Sequence, residues 1–590
     1  MFVAAVLPTA LGFAVAGHMR TVRGRPGEVR MDAWLSRLAR RTGAGDALSE
    51  AVAGFRLLEI DAEELDRLAV RANALGPALR THDRLGEPVG ELEIDPAYRT
   101  LEDVAYGDLS LVARPLARLI ESGDKPWVRS VSFALGEAFS RFEQGLYCPL
   151  CMTDGAAVVL RRTGDPVLWA RMGERLGGRA RDRWTGAMFL TERQGGSDVG
   201  AATAVAVRDP EAEGGWRLHG EKWFCSNAGA DVSLVLARPE GAPSGTRGLG
   251  LFAMPRLWPD GRRNPYRLRR LKDKLGTRSM ATAEVELAGA TAWAVGALDE
   301  GFAQMAAMIN LSRLYNAIAS SGVMGRALAE ARAWAGQRRA FGRPLTEHPL
   351  VARQLRDMEA EREAAASLLF MTVGALDRQE AHGGEADDAG IVRLFTPLLK
   401  MATARRAVWA ASEAIELLGG NGYVEDWVTA RFYRDAQVLP VWEGASNMQV
   451  HDVVRVMTRS DGAVVLERWA RRKLEALLEG GDERIVALGG ALAADWERLV
   501  RELDGWLPRA AEDEGVAARD WLERLYPWAG ALSLACDALE EMRQPAESAL
   551  SPCGWVGNMP GDFPGALLAQ AMVMQGRIRW SGPGLAVGLA

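Results

Sequence analysis

The sequence predicts a mainly α-helical protein with a central β domain and an additional helical region at its C-terminal end. Three observations predict it. Apolar residues recur at spacings of three and four from Met31 to about Arg181, as amphipathic helices require. Near Met188 the period switches to two, in short runs divided by Gly and Pro. From Gly301 the helical pattern returns in segments long enough for bundle helices. At 590 residues the chain exceeds a single core. The divisions we expect are an N-terminal extension (1–30), a helical domain (31–184), a middle β domain (185–298), a bundle domain (299–458) and an added helical region (459–590).

The elements follow in order. Phe2 to Gly17 is almost entirely apolar, but no basic residue precedes it, it contains Pro8, and it is too short to span a bilayer. A mis-assigned start upstream of Met19, or a buried segment, is expected there rather than a secretion signal. Ala33 to Arg41 and Asp61 to Leu79 carry the helical pattern, Thr81 to Pro88 breaks it as a loop, and helices resume near Pro126 to Glu143 and Asp154 to Arg162. Thr203 to Val207 alternates, and Trp216 to Asn227, Val232 to Ala237, Gly248 to Met254 and Ala281 to Leu287 continue the strand-like runs. Gly301 to Gln337, Pro349 to Asp377 and Ala389 to Leu418 are long helices, and another helical stretch runs from Val464 to about Glu541. Beyond Gln544, residues rich in Pro, Gly and Ser read as a loosely ordered end, apart from Ala566 to Met574.

Composition sets limits on function. With 48% hydrophobic residues, 25% charged and a net charge of −6, the chain is globular and has no global attraction to nucleic acid or anionic membrane. Outside Phe2 to Gly17 no run is apolar and long enough for a membrane helix, and we expect a cytoplasmic protein. Cys148-Pro149-Leu150-Cys151 has zinc or redox spacing but no second pair at a suitable distance, so no metal site is expected. The five cysteines read as buried free thiols of a reducing compartment.

Four segments carry the chemistry. Val441-Trp442-Glu443-Gly444-Ala445-Ser446-Asn447 sets one carboxylate between a Trp and a Gly. Bulky apolar neighbours desolvate such a carboxylate, raise its pKa and make it a better base near neutral pH. Gly444 lets a ligand approach the backbone. Leu190-Thr191-Glu192-Arg193-Gln194-Gly195-Gly196-Ser197-Asp198-Val199 makes a tight loop whose N–H groups and hydroxyls can face an electron-rich ligand. Arg338 and Arg339, close to Phe341-Gly342, can pair with a pyrophosphate. Glu416 and Gly419-Gly420-Asn421-Gly422 form a helix end bare of side chains, open to a dinucleotide. No Gly-x-Gly-x-x-Gly follows a strand, so this is no Rossmann fingerprint.

Taken together and in this order, these segments resemble the acyl-CoA dehydrogenase flavoprotein family, over roughly Pro96 to Met457. Leu79 to Asp83, Leu271 to Gly276 and Arg393 to Pro397 are most similar to its AidB-like subgroup, linked to the adaptive response to alkylation. The resemblance implies an α–β–α fold with FAD held between the β domain and a four-helix bundle, in a homo-oligomer. It implies that Leu190, Thr191, Ser197, Phe224, Ser226, Ala445 and Asn447 contact FAD, with Phe224 standing where most relatives have Trp. It implies that Arg338 and Phe341 reach FAD across a subunit interface, and that Glu416, Gly419, Gly420 and Asn421 also contact FAD. Ser197, Arg278, Arg313 and Gly444 are the implied substrate residues, although Arg278 also reads as a structural ion-pair partner. Glu443 is the implied base for the α-proton, with Arg313 beside it. The implied activity is α,β-dehydrogenation of an acyl-CoA thioester, with electrons passing to an electron-transfer flavoprotein or to oxygen. Two alternatives are a DNA-associated flavoprotein of the alkylation response and an acyl-CoA oxidase. Charge does not favour DNA: Arg459 to Ala590 holds 14 Lys or Arg against 20 Asp or Glu, with one small cluster at Arg468, Arg471, Arg472 and Lys473.

Overall fold

The computed structural model describes residues 51–578, apart from 59–61, 122–126, 180–181, 212–213, 259–260, 511–514, 544–562 and the single positions 52, 55, 164 and 383. The apolar segment at 2–17, the helix expected at 33–41, Cys553 and most of the loosely ordered end fall outside the described residues.

The first helices are α1 (Ala62–Leu75), α2 (Pro96–Glu102), α3 (Ala113–Glu121), α4 (Val128–Ser140) and α5 (Tyr147–Arg162). Asp95 starts α2 by accepting from the Ala97 N–H at 2.8 Å, and Pro96 follows where no N–H is needed. Between α1 and α2, β1 (Ala78–His82) pairs antiparallel with β2 (Pro88–Glu93). The loop read over Thr81 to Pro88 is therefore only the tip of a hairpin. Both strands are short, β1 is largely exposed and β2 is mostly half-buried, so no apolar alternation marks them.

The β domain comprises β3 (Gly186–Phe189), β4 (Val205–Arg208), β5 (Gly215–Ser226), β6 (Val232–Pro239), β7 (Gly250–Pro255), β8 (Tyr266–Leu271) and β9 (Thr282–Ala294). The order is β3-β6-β4-β5-β9-β7, β8 adds to β9, and β7 also pairs with β6. Strands β6, β4, β5, β9 and β7 thus form a closed ring. The pairing of β5 with β9 slips between Lys222 and Cys225, so that Trp223 and Phe224 together oppose Glu284. This bulge re-aims the two aromatic side chains, and Phe224 is 56% exposed.

The bundle comprises α6 (Gly301–Gln337), α7 (Pro349–His382), α8 (Asp388–Leu418), α9 (Gly420–Tyr423), α10 (Val428–Ala436) and α11 (Ser446–Arg459). Gly419, at φ +65°, ends α8 where an ordinary residue would be strained. The added region forms α12 (Gly462–Leu478), α13 (Glu483–Trp506), α14 (Val516–Arg543) and α15 (Phe563–Gln575). Trp528 stacks on Trp496 with ring centroids 4.6 Å apart, Trp469 meets Phe395 of α8 at 4.9 Å, and Ser367 of α7 donates to Asp537 at 2.7 Å. One apolar core runs from α1 through the bundle into these helices. Their basic cluster is largely neutralised within the chain: Arg468 and Arg472 pair with Asp387, and Arg471 pairs with Glu467. Among the described residues no helix is long and apolar enough to cross a membrane.

Candidate active site

The turn between α10 and α11 presents Glu443. Its φ is +56° and that of Gly444 is +91°, two consecutive left-handed residues. A Cβ on residue 444 would lie 2.9 Å from Gln449 Nε2, so glycine fits there on two counts. Both carbonyls of the turn are pinned. Gln449 Nε2 donates to Glu443 O at 3.0 Å and to Gly444 O at 2.8 Å. Arg313 Nε donates to Glu443 O at 3.2 Å, and Lys400 Nζ donates to Gly444 O at 2.7 Å.

The Glu443 side chain is half-buried beside Trp442. Desolvation pushes its carboxyl up to about 7, against the opposing charges of Lys400 and Arg313. Lys400 is fully buried, and desolvation pushes it down to about 7 while Glu443 opposes. Arg313 bonds the backbone of Glu443, and its guanidinium is fixed in turn by Asp452, which also accepts from Arg393 Nη1 at 2.9 Å. Sequence reasoning missed Lys400, Gln449 and Asp452. A signal existed for Lys400, a lone cation in the apolar run Pro397-Leu398-Leu399-Lys400-Met401-Ala402. No pattern marked Gln449 or Asp452.

The β domain supplies a second group. Leu190 and Thr191 follow β3 and are half-buried, while Ser197 lies exposed in the glycine loop. A Cβ on Gly196 would fall 2.5 Å from Thr191 Oγ1, so the loop folds tightly over that hydroxyl. The loop is tied to β5 by the Trp223 N–H, which donates to Thr191 O at 2.9 Å, and by a buried ion pair, Lys222 Nζ to Glu192 Oε1 at 2.8 Å. Glu192 also accepts from the N–H and Oγ1 of Thr203, both at 2.7 Å. Ser226 Oγ lies 3.2 Å from Thr282 Oγ1, and Lys272 Nζ sits 3.6 Å from the Trp223 ring centroid and 4.8 Å from that of Phe224. A cleft of about 820 Å³ opens beside this wall, bounded by Lys272, Arg278, Thr282 and Arg434. Arg278 is exposed there, with its Nε on the Lys274 carbonyl at 2.9 Å.

A third group lies at the end of α6. Arg338 is exposed, and its Nη1 would lie 3.6 Å from a Cβ on Gly419. Phe341, at φ +50°, is 97% exposed. Glu416 and Gly420 are exposed and Asn421 is half-buried. Ala445 and Asn447 are exposed beside Glu443, and Asn447 Oδ1 accepts from Arg519 of α14 at 2.6 Å, so the added region reaches the edge of the site.

A small cavity of about 20 Å³ adjoins Glu443, between α5 and α6. Cys148 and Cys151 of α5 line it; they, Cys225 and Cys536 are free thiols. Burial and the nearby Glu443 push both Cys148 and Cys151 up, so neither is an activated nucleophile.

The sequence matches three family profiles: the acyl-CoA dehydrogenase C-terminal domain over 299–458, the acyl-CoA dehydrogenase middle domain over 187–290, and the adaptive response protein AidB N-terminal domain over 27–183. It is 35% identical to the AidB protein of Escherichia coli K12, over 82% of this chain and 85% of that one. It is also 35% identical to acyl-CoA dehydrogenase family member 11 of Caenorhabditis elegans, over 68% of this chain and 66% of that one. The solved structure of Caenorhabditis elegans ACDH-11 in complex with C11-CoA superposes with a TM-score of 0.83 at 28% identity, covering 97% of this chain and 93% of that one. The chain therefore belongs to the acyl-CoA dehydrogenase family, FAD-dependent oxidoreductases that act on a CH–CH bond.

Proposed function

We propose that this protein oxidises an acyl-CoA thioester between its α- and β-carbons, with Glu443 as the base. The observation that carries the reading is the carboxyl of Glu443, half-buried, shifted to about 7 and held on a turn that Arg313, Lys400 and Gln449 pin from three sides. A base with a pKa near the working pH is ionised often enough to act and basic enough to take a proton from carbon. The acyl thioester as substrate class is supported by the related structure bound to C11-CoA.

The residues present fit FAD. Trp223 and Phe224 offer a partly exposed aromatic wall, and Thr191, Ser197 and Ser226 offer hydroxyls beside it. Gly195 and Gly420 have no heavy atom within 4 Å of where a Cβ would stand, leaving the backbone open to a large planar ligand and its phosphates. Leu190, Thr191, Ser197, Phe224, Ser226, Ala445 and Asn447 would hold the flavin half. Arg338, Phe341, Glu416, Gly419, Gly420 and Asn421 would hold the adenosine half, reached from a second copy of the chain. Bound FAD supplies the acceptor for the β-hydride. Glu443 takes the α-proton as the α,β double bond forms. Its backbone N–H supports the developing thioester enolate oxygen, and Arg313 and Lys400 keep the turn still and favour the carboxylate. Ser197, Arg278 and Gly444 border the path of the CoA chain. Electron-transfer flavoprotein or oxygen then takes the electrons.

The test is an anaerobic absorbance titration of the FAD-loaded protein with acyl-CoAs of several lengths, repeated with Glu443→Gln. Bleaching of the flavin in the wild type but not in the variant is the expected result. A flavin that no acyl-CoA reduces would refute the assignment.

A further inference from the structure

The three donors of the Lys274 ammonium are all engaged. Nζ donates to the carbonyls of Thr277 and Met280 at 2.7 and 2.8 Å, and to Thr282 Oγ1 at 3.2 Å. These partners are uncharged, whereas the neighbouring Lys272 pairs with the carboxylate of Glu284. Burial lowers Lys274 to about 8, so it still carries its charge at neutral pH. The loop around it is held firmly. Thr277, at φ +49°, donates its N–H to Asp435 of α10 at 2.6 Å, and a side chain on Gly276 would strike the Arg434 carbonyl.

The register of β5 on β9 sets Thr282 opposite Ser226, with their hydroxyl oxygens 3.2 Å apart. An ammonium only donates, so Thr282 Oγ1 accepts from Lys274. That oxygen has one proton of its own, and its other contact is Ser226 Oγ, which takes it. Ser226, accepting there, keeps its own proton, and it stands half-buried at the aromatic wall of Trp223 and Phe224. The hydrogen bonds therefore run one way, from a fixed positive charge through Thr282 to a hydroxyl with a proton left to give. Hydrogen bonds in series polarise one another, so Ser226 donates more strongly than an isolated serine. Such a donor holds a group more tightly once that group has gained electrons.

We propose that Lys274 and Thr282 are positioning residues that make Ser226 a charge-backed donor and so raise the reduction potential of the bound flavin, an inference that rests on Ser226 being a flavin contact.

The experiment is an anaerobic redox titration of the FAD-loaded full chain against an indicator dye of known potential, with no acyl-CoA present. Thr282→Val cuts the chain while leaving the Lys274 charge and its two carbonyl bonds in place, and Thr282→Ser keeps the hydroxyl. Thr282→Val and Ser226→Ala should each weaken the preference for reduced over oxidised flavin about tenfold, which lowers the midpoint potential by about 30 mV for a two-electron couple. Lys274→Met should lower it at least as much, and by less when residue 282 is already valine. Thr282→Ser should stay within about threefold of the wild type, about 15 mV. A lower potential in Ser226→Ala with an unchanged one in Thr282→Val would overturn the chain and leave Ser226 as a flavin contact. An unchanged potential in Ser226→Ala would overturn that contact, and the chain with it. Equal losses for Lys274→Met with and without Thr282→Val would show that the charge acts without the hydroxyls, which also overturns the chain. A Lys274→Met variant that melts lower with its potential unmoved would reduce Lys274 to a brace for its loop and overturn its role at the flavin.

Discussion

Replacing Lys222 with Met would show how much of the glycine loop after β3, the proposed flavin wall, depends on one buried ion pair. Lys222 is 0% exposed and Glu192 3%. Burial alone would raise the Glu192 carboxyl, but the Lys222 charge and the hydrogen bonds from Lys222 and Thr203 overrule it and hold the group at about 2. A carboxyl held at about 2 in place of its ordinary 4.5 contributes about 3 kcal/mol at neutral pH. Breaking a buried pair by removing one partner costs about 3–5 kcal/mol, because an uncompensated charge stays behind. Thr203 supplies part of that shift, and burial lowers the pKa of Lys222 itself, so the lower end of the range, about 3 kcal/mol, is the figure for Lys222→Met. The sign follows from the depressed pKa: this stability is present above about pH 4.5 and is lost as pH falls towards 2. The assay is urea denaturation of the FAD-loaded protein at pH 7 and at pH 4, with flavin retention read after gel filtration. Lys222→Met should lose about 3 kcal/mol at pH 7, less at pH 4, and should shed flavin. Adding Glu192→Gln should recover part of the loss, since an amide still accepts from Thr203. A loss below about 1 kcal/mol, or no recovery in the double variant, would refute the reasoning.

Three further outcomes are expected. Flavin reduction by acyl-CoA should rise through about pH 7 and fall about tenfold per pH unit below it, since only ionised Glu443 accepts the proton; a stopped-flow profile flat from pH 5 to 8 would contradict this. Lys400→Met removes a positive charge that opposes the upward shift of Glu443, so the same profile should move alkaline by about one pH unit or more, and an unmoved or acid-shifted profile would show that Lys400 does not act on Glu443. Arg338→Ala should release FAD on dilution without moving the pH profile; undiminished FAD affinity would remove Arg338 from the cofactor site.

The fold was legible wherever one face of an element is buried. α6 runs over the residues its apolar period marked, and the breaks at Gly301 and Gly419 were visible. The hairpin of β1 and β2 was not, because β1 is largely exposed and β2 only half-buried, which leaves no apolar period to read. Glu443 could be singled out because three other segments stood with it in order; a carboxylate between Trp and Gly says little alone. Lys400 and Arg313 act on it from helices distant in sequence, with Asp452 fixing Arg313, and nothing local records such an approach. The bulge that turns Trp223 and Phe224 outward depends on register with β9, which is a property of two strands and invisible in either alone. Glu192 and Lys222 stood in the quoted segments, yet their pairing appears only once the loop has folded over β5.

The left-handed backbone at Glu443 has an evolutionary consequence. A residue with a Cβ at φ +56° carries about 1 kcal/mol of strain that glycine would not. Desolvation of the carboxyl adds a second penalty at neutral pH, where the proposed base must be ionised to work. Both penalties vanish in Glu443→Gly, which should melt at a higher temperature than the wild type while failing to reduce flavin. Loss of the base is thus thermodynamically downhill, and mutation under selection for folding alone would drift away from glutamate at this position. A lineage that stopped using the reaction would gain stability by discarding the side chain proposed as its base.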